Sequence, residues 1–465
     1  MRAVLKAAAL LVYGFLMYMV VFGVMVFAVY QPMPTDIDYD VETLRSPADE
    51  TAYVHLVEER TYSLDVRLAL IEAATTSIDF STYAVRTDRS RDIVYGALLE
   101  AADRGVKVRL VIDASGVMGF YGENTAYVNA MASHPNITLV LYEPLSLWPP
   151  YAGHNRLHDK LWVVDERYGM VGGRNIGDRY FLESMPAEDA THDRDILVFG
   201  EETVSAVAEM RAYFDEMIDH RYTRTITRES TDATQALQAS MIDDYHDYID
   251  ERALDSAALL TAIHDEAFAV GRATFVRSPL NRMHKTPVLM RTIVALSEGA
   301  DDIFVQTPYF VLDRALRQEI APWFDQNLTV LTNNPATNPN IPGMSGYLNI
   351  RNELAGHWAL YEYQGTGSLH MKTVLIDNDI TVIGSLNIDP RSAFLSTESA
   401  IVVYSEPFNA HVRDTIDNEY LAQSLRVLPD GDYASGPVEP IPFDGFQRAF
   451  ATITRFLLRF VPFML

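Results

Sequence analysis

Two stretches of the chain repeat one set of polar residues at the same spacing. Each stretch places a Lys two residues after a His, an Asp seven residues after it and an Asn seventeen residues after it. The residues are His158, Lys160, Asp165 and Asn175 in the first stretch and His370, Lys372, Asp377 and Asn387 in the second. Composition alone does not produce such a repeat, so we infer that two homologous halves each contribute part of one site.

The repeated residues lie where a strand would present them together. Short apolar runs, Leu-Trp-Val-Val and Thr-Val-Leu-Ile, separate each Lys from its Asp and predict buried strands. Because residues i and i+2 of a strand face the same side, His158 and Lys160 should project side by side, as should His370 and Lys372. Each pair combines a nucleophile or acid–base group with a fixed positive charge.

Small residues follow each strand, in the runs Gly172-Gly173-Arg174-Asn175 and Gly384-Ser385-Leu386-Asn387. Glycine allows close backbone approach and supplies amide donors, and the Asn side chains add neutral donors. We therefore expect a phosphate group to be bound by Gly173, Ser385, Asn175 and Asn387. Two such half-sites face to face suit a phosphodiester and the charge that grows on its oxygens during displacement. We expect no metal and no cofactor, because Lys supplies the positive charge.

The pattern H-x-K-x4-D followed by G-[GS]-x-N, present twice, resembles the phospholipase D superfamily. The segments HDKLWVVDERYGMVGGRNIGDRYF and SLHMKTVLIDNDITVIGSLNIDPRSAFLSTE resemble its bacterial cardiolipin synthase branch in particular. The resemblance covers roughly residues 60 to 465. It implies a two-step phosphatidyl transfer in which one His forms a phosphohistidine while the other protonates the leaving alcohol and then deprotonates the incoming one.

The resemblance also implies roles for the acidic residues. In the family an acidic residue downstream of each motif orients an imidazole. Asp193 fits this role in the first half, with Asp195 as a competitor, and Glu398 fits it in the second half. Asp165 and Asp377 complete the catalytic motifs, but they suit bracing of loops better than reaction.

By family analogy His158 is the nucleophile and His370 the acid. The pseudo-symmetry of the two halves leaves the reverse assignment open.

The elements around the motifs predict an α/β fold. Helical and strand patterns alternate in both halves, as expected for two pseudo-symmetric phospholipase D-like sandwich domains, each a central mixed sheet with helices on both faces. The expected organisation is a transmembrane anchor (1–35), a linker (36–60), a first domain (61–225), a helical bridge (226–268), a second domain (269–445) and an amphipathic C-terminal helix (446–465).

The N-terminal region predicts a membrane anchor. Residues 8–30 are almost wholly apolar and long enough to cross a bilayer, with Arg2 and Lys6 before them and acidic residues from Asp36 onward. We expect a single span in a bacterial cytoplasmic (inner) membrane, with the rest of the chain on the extracytoplasmic side. A cleaved signal peptide is the alternative, although its apolar region would be shorter and no clear cleavage site is seen.

The net charge of the chain disfavours one class of possible substrate. The 465-residue chain carries a net charge of −26 and no Cys. An acidic surface repels nucleic acid, so we expect no nucleic-acid partner. The last twenty residues are locally basic, with Arg448, Arg455 and Arg459 among Phe, Ile and Leu. This helix either lies in the bilayer interface or docks on the core.

The favoured activity is transfer of a phosphatidyl group to phosphatidylglycerol, giving cardiolipin. The donor could be phosphatidylglycerol or phosphatidylethanolamine, and the bilayer itself is the expected partner. With water as acceptor, the same site would be a phospholipase D-type phosphodiesterase. A non-enzymatic lipid-binding scaffold should have lost at least one His, Lys or Asn of the two motifs, and all six are present.

Overall fold

Two mixed β-sheets carry the two motifs. The computed structural model describes residues 2–28, 32–118, 124–144, 148–443, 445–459 and 461–464. The strands of the first half are β1 (Ala52–Val57), β2 (Ser77–Thr82), β3 (Lys107–Asp113), β4 (Ile137–Tyr142), β5 (Arg156–Leu157), β6 (Leu161–Val164), β7 (Tyr168–Gly172), β8 (Thr191–His192), β9 (Asp195–Phe199), β10 (Thr223–Ile226) and β11 (Phe268–Val270). Those of the second half are β12 (Arg272–Arg277), β13 (Ile303–Gln306), β14 (Leu328–Asn333), β15 (Ala359–Tyr363), β16 (Ser368–Leu369), β17 (Thr373–Ile376), β18 (Ile380–Gly384), β19 (Ser396–Thr397), β20 (Ser399–Tyr404) and β21 (Ser424–Arg426).

The two sheets have the same strand order. The first runs β10-β4-β3-β2-β6-β7-β9-β1-β11, and the second runs β21-β15-β14-β13-β17-β18-β20-β12. In both, three neighbouring strands pair in parallel (β2 to β4, and β13 to β15) and the strands around the motif pair antiparallel. The predicted pseudo-symmetric pair of mixed-sheet domains is therefore confirmed, with β11 as an additional strand in the first sheet.

Helices, several of which pack against the sheets, alternate with the strands along the chain. They are α1 (Arg2–Gly23), α2 (Val41–Leu44), α3 (Arg60–Ala73), α4 (Arg89–Asp103), α5 (Ala114–Met118), α6 (Thr125–Ala132), α7 (Asp178–Phe181), α8 (Ser205–Ile218), α9 (Asp232–Arg252), α10 (Ser256–Glu266), α11 (Val288–Leu296), α12 (Arg314–Glu319), α13 (Ile341–His357), α14 (Pro390–Phe394), α15 (Glu406–Thr415) and α16 (Gly445–Leu458). The inner faces share one core, in which Val171 and Ile196 of the first sheet join Ile383 and Ile401 of the second. Strands buried on both faces, such as β9, require this double cover.

Two short pairings cross between the halves. β5 pairs in parallel with β19, and β16 pairs in parallel with β8. Each pairing places the residue before a motif His beside a strand of the other half. These exchanges fix which side chains meet in the site.

Several boundaries differ from those predicted. The linker expected over 36–60 contains α2 and β1, because the run Ala52–Val57 is apolar enough to be buried within the first sheet. Residues 226–268, expected as a helical bridge between the halves, form the helices α9 and α10, but these pack on α4 and α3 of the first half. The helix α13 begins at Ile341, since Asn340 accepts from the Gly343 N–H and a proline fits a first helical turn.

The N-terminal helix α1 has the length and composition of a membrane span, with mean hydropathy 2.4 over Ala9–Phe27. It contacts the rest of the protein near its end. Tyr18 stacks on Trp148 with ring centroids 4.9 Å apart. After α1, the 3-10 turn Met25–Ala28 buries Phe27 against His154, at 5.2 Å between ring centroids. The last turn of this apolar segment is thus anchored beside the first motif.

Candidate active site

Each motif histidine contacts a carboxylate of the other half. His158 Nδ1 lies 2.9 Å from the Glu398 carboxylate, and His370 Nδ1 lies 2.6 Å from Asp193 Oδ2. The sequence assigned each carboxylate to the histidine of its own half, and that assignment is wrong. The crossed strand pairs explain the exchange, because the His158 N–H donates to the Thr397 carbonyl at 3.1 Å and the His370 N–H to the His192 carbonyl at 2.7 Å.

The crossed pairs make the site a product of both halves. A carboxylate at Nδ1 accepts the proton there and leaves the Nε2 lone pair available as a nucleophile or base. Neither half alone contains a motif histidine together with its carboxylate. One shared active site follows, as the duplicated motif predicted.

The two motif lysines are buried beside their histidines. Lys160 and Lys372 are 1% and 5% exposed, and each Nζ donates to the carbonyl of the His two residues earlier. Burial together with the charge of Lys372 lowers the pKa of Lys160 to about 7, and burial lowers that of Lys372 to about 8. An anion between them would restore their charge, so the site is built to receive one.

Both imidazoles are held in the neutral form by their surroundings. Burial lowers the pKa of His158 well below 6.5 and that of His370 to about 3, and the charges of Lys160 and Lys372 add to the effect. A neutral imidazole with Nδ1 held by a carboxylate is in the form that attacks phosphorus.

The two carboxylates differ in protonation. Burial raises the pKa of Glu398 to about 7. Burial also acts to raise the pKa of Asp193, but the neighbouring His370 and Lys372 outweigh it and leave that pKa below its ordinary value. Asp193 is therefore ionised at neutral pH, whereas Glu398 is partly protonated.

Gly173 and Ser385, predicted to bind phosphate, serve the carboxylates in this structure. A Cβ at Gly173 would lie 2.2 Å from Asp193 Oδ1, so no side chain fits there. Ser385 Oγ donates to Glu398 Oε2 at 2.5 Å. Both positions lie directly against the carboxylate of their own half.

The two motif asparagines bind tyrosine hydroxyls. Asn175 Nδ2 donates to Tyr180 at 3.3 Å, and Asn387 Nδ2 donates to Tyr309 at 3.2 Å. The ring of Tyr180 stands edge-on to His370, with centroids 5.7 Å apart. The ring of Tyr83 packs beside His158, at 5.5 Å between centroids.

Sequence reasoning missed these three tyrosines. A usable signal existed for Tyr83 and Tyr309, which follow β2 and β13. These strands pair directly with the motif strands β6 and β17.

Asp165 and Asp377 do not belong to the reacting group. Each lies at the far end of its motif strand with a positive φ, 51° and 50°. Asp165 accepts from the backbone N–H groups of Thr75, Thr76 and Ser77. Asp377 accepts from the N–H groups of residues 301 and 302. Their place among the catalytic residues is corrected, and their contacts are those of loop braces.

Asp195, the competitor of Asp193, belongs to a buried ion cluster. Its Oδ2 lies 2.8 Å from both Arg67 and Arg174. The three side chains are almost completely buried. Asp195 thus balances two buried guanidinium groups, while Asp193 contacts His370.

The fold and this site define an enzyme of the phospholipase D superfamily. The profile of the family described as cardiolipin synthase, PLD-like domain matches residues 68–218 and 293–420, and the chain belongs to that family.

Relatives and solved structures agree with this family. An uncharacterized protein of Helicobacter pylori strain 26695 is 28% identical over 428 residues, with 83% of this chain and 82% of that protein covered. Cardiolipin synthase C of Escherichia coli K12 is 27% identical over 392 residues, with 73% and 79% covered. The crystal structure of phosphatidylserine synthase from Haemophilus influenzae has the same fold, with a TM-score of 0.59, 13% identity and coverage of 92% of this chain and 97% of that one.

Proposed function

We propose that this protein is a membrane-anchored phosphatidyltransferase that transfers a phosphatidyl group to phosphatidylglycerol and so forms cardiolipin. The observation that carries the proposal is the pair of crossed contacts, His158 with Glu398 and His370 with Asp193. Two histidines with Nε2 free, flanked by two buried lysines, supply what a two-step displacement at a phosphodiester needs.

In the first step, His158 Nε2 attacks phosphorus and the bond between phosphorus and the leaving alcohol breaks. The alcohol oxygen takes the Nε2 proton of His370, which enters this step as the imidazolium because the bound phosphodiester anion raises its pKa, and a phosphatidyl group remains on His158. Ionised Asp193 supports His370 in this role, because a carboxylate at Nδ1 stabilises the imidazolium that carries the proton. Lys160 and Lys372 stabilise the charge on the non-bridging oxygens.

In the second step, a hydroxyl of phosphatidylglycerol attacks the phosphohistidine and gives its proton to His370. The bond between nitrogen and phosphorus breaks, and His158 returns to its neutral form. With phosphatidylglycerol as donor, two lipids give one cardiolipin and one glycerol. With phosphatidylethanolamine as donor, the first product is ethanolamine.

Four features favour a lipid substrate. Cardiolipin synthases of E. coli and Geobacillus kaustophilus are among the relatives. The helix α1 suits a membrane span, and the net charge of −26 opposes nucleic acid. An open cleft of about 510 Å³ lies beside the segment that follows α1, lined by Met33, Tyr151, Tyr222, Asn281, Met283 and the basic Arg221 and Arg282. We place the protein in a bacterial cytoplasmic membrane with its catalytic domains outside.

Hydrolysis is the second candidate. Water attacking the same phosphohistidine would release phosphatidic acid, and nothing in the histidine geometry discriminates between the two acceptors. Whether transfer or hydrolysis occurs depends on how well the closed site excludes water.

A lipid-product assay tests the proposal. The full chain in detergent–phospholipid micelles receives phosphatidylglycerol with or without phosphatidylethanolamine, and mass spectrometry reads the products. Cardiolipin from the wild type and from His246→Ala, a surface histidine paired with Glu100, but not from His158→Ala, is the expected result. Phosphatidic acid without cardiolipin would assign hydrolysis, and no lipid product would overturn both candidates.

A further inference from the structure

The C-terminal helix α16 has two different long faces. Its inner face docks on α13: Ala451 is 1% exposed, and the hydroxyls of Ser345 and Thr454 lie 2.6 Å apart. Asn349 Nδ2 donates to the Arg455 carbonyl at 3.2 Å. The position of the helix is therefore fixed by the second domain, and its outer face is presented to the surroundings.

The outer face of α16 is apolar. Phe450, Ile453 and Phe456 are 42%, 61% and 60% exposed. At 100° per residue these three side chains share one side of the helix. Exposed side chains of this size in one patch mark a surface that contacts another apolar phase.

A basic stripe flanks this apolar face. Arg448, Arg455 and Arg459 follow at spacings of seven and four residues, which places them along one edge of the helix. No acidic residue follows Asp444 in the sequence. In a chain with a net charge of −26, this local basicity matches an anionic surface.

The surface that α16 presents is continuous with the end of α1. The 3-10 turn Pro462–Met464 contacts the turn Met25–Ala28 that ends the apolar N-terminal segment. Phe463 and Phe27 belong to the same core. Beside that junction, Trp148 stacks on Tyr18 and is itself 74% exposed.

We propose that the outer face of α16 lies in the headgroup region of the bilayer, next to the point where α1 enters it. The apolar side chains would reach the acyl boundary, and Arg448 and Arg459 would lie level with the lipid phosphates. This rests on the proposed membrane location of α1. It goes further by making α16 a second, independent membrane contact that sets how the catalytic domains face the lipid.

The contact reaches the active site through α13. Asn340, which caps α13, donates to the Tyr309 hydroxyl at 2.9 Å. The same hydroxyl accepts from Asn387 of the second motif at 3.2 Å. A membrane-seated α16 therefore holds one wall of the site at a constant distance from the lipid surface.

The absence of cysteine allows a direct test on the full chain. The variant Ile453→Cys would carry a single thiol for a bimane label, and the protein would be placed in vesicles of phosphatidylcholine and phosphatidylglycerol that contain brominated acyl chains. Thr452→Cys is the matched control on the same helix, exposed but turned by about 100° toward the arginines. Glu251→Cys on α9 is a solvent control.

The expected result is quenching at least about threefold stronger at position 453 than at 452, and none at 251. Quenching at 453 no greater than at 251 would overturn the proposal. A label at 453 that is shielded from both brominated lipid and aqueous iodide would also overturn it, in favour of contact with a second copy of the chain. The readout needs no catalysis, so it stands apart from success or failure of the lipid-product assay.

Discussion

The two half-sites keep the same reacting groups on differently built supports. His, Lys and Asn occupy equivalent positions in both, and each histidine takes a carboxylate from the opposite half. The positions behind the carboxylates differ: Gly173 has no side chain to bond Asp193, whereas Ser385 donates a hydrogen bond to Glu398. The identical groups show what the chemistry requires of each half, and the different supports show where the halves can specialise.

The difference extends into the cores. Strand pairing places Asp195 opposite Gly172 in the first half and Ala400 opposite Gly384 in the second. Arg174 and Leu386 occupy the same motif position. An ion cluster thus supports the first half-site where apolar packing supports the second. Because Asp193 is ionised while Glu398 has a pKa of about 7, the two histidines are not electrostatically equivalent.

The largest effect should come from removing either histidine. Replacing His158 or His370 with Ala should each lower the transfer rate by about 10⁴-fold or more, and the double variant should lose little beyond a single one, because the two act as one unit. Initial rates of cardiolipin formation measure this, with His246→Ala as the control. Substantial activity in either single variant would break the equivalence of the halves.

Amide substitutions of the two carboxylates should lower the transfer rate by different amounts. Asp193→Asn should lower the rate by about 10³-fold, since an ionised partner of His370 is lost. Glu398→Gln should cost only about tenfold at pH 6, because the amide resembles a protonated carboxyl.

The pH dependence of the transfer rate should distinguish these two variants. The wild-type Glu398 ionises as pH rises through its pKa of about 7. The deficit of Glu398→Gln should therefore grow between pH 6 and pH 8.5, while that of Asp193→Asn stays nearly constant over this range. This is tested by measuring the transfer rates of both variants and of the wild type as a function of pH. Equal, parallel profiles would contradict the asymmetry.

The buried ion cluster predicts a large effect on stability. Asp195→Ala should lower the free energy of unfolding by about 3–5 kcal/mol, because Arg67 and Arg174 stay buried without their counter-charge. The double variant Asp195→Ala/Arg174→Leu imitates the second half and should recover part of that loss. Denaturant unfolding in detergent measures both, and a double variant less stable than the single one would argue against the comparison of the two supports.

The loop braces should show the smallest effect. Asp165 accepts from three backbone N–H groups and two Thr hydroxyls, and Asp377 from two N–H groups. Asp165→Ala should cost about 2–3 kcal/mol of unfolding free energy and Asp377→Ala about 1 kcal/mol. Thermal unfolding orders the two. A reversed order would mean that the number of hydrogen bonds does not determine how strongly each Asp stabilises its loop.

The fold and the motifs could be predicted from patterns among residues that are close in sequence. The period of the apolar runs predicted the strands β6 and β17, and the repeated spacing grouped His158, Lys160, His370 and Lys372 directly before them. Such features depend on neighbours in sequence.

Contacts between distant segments were beyond the sequence. The crossed pairing depends on β5 meeting β19 and β16 meeting β8, and neither two-residue strand has a periodicity to read. The roles of Gly173 and Ser385 depended on which side of the turn faces the carboxylate. The linker was misjudged because β1 gains its burial from β9 and β11, both far along the chain.

The most direct test of a shared site is to ask which carboxylate each histidine holds. Histidine labelled with ¹⁵N in the detergent-solubilised protein should give two strongly downfield Nδ1–H protons, assigned by their loss in His158→Ala and His370→Ala. Asp193→Asn should shift the His370 proton and leave that of His158 in place, and Glu398→Gln should do the reverse. A shift of the His158 proton in Asp193→Asn, with that of His370 unchanged, would contradict the crossed site.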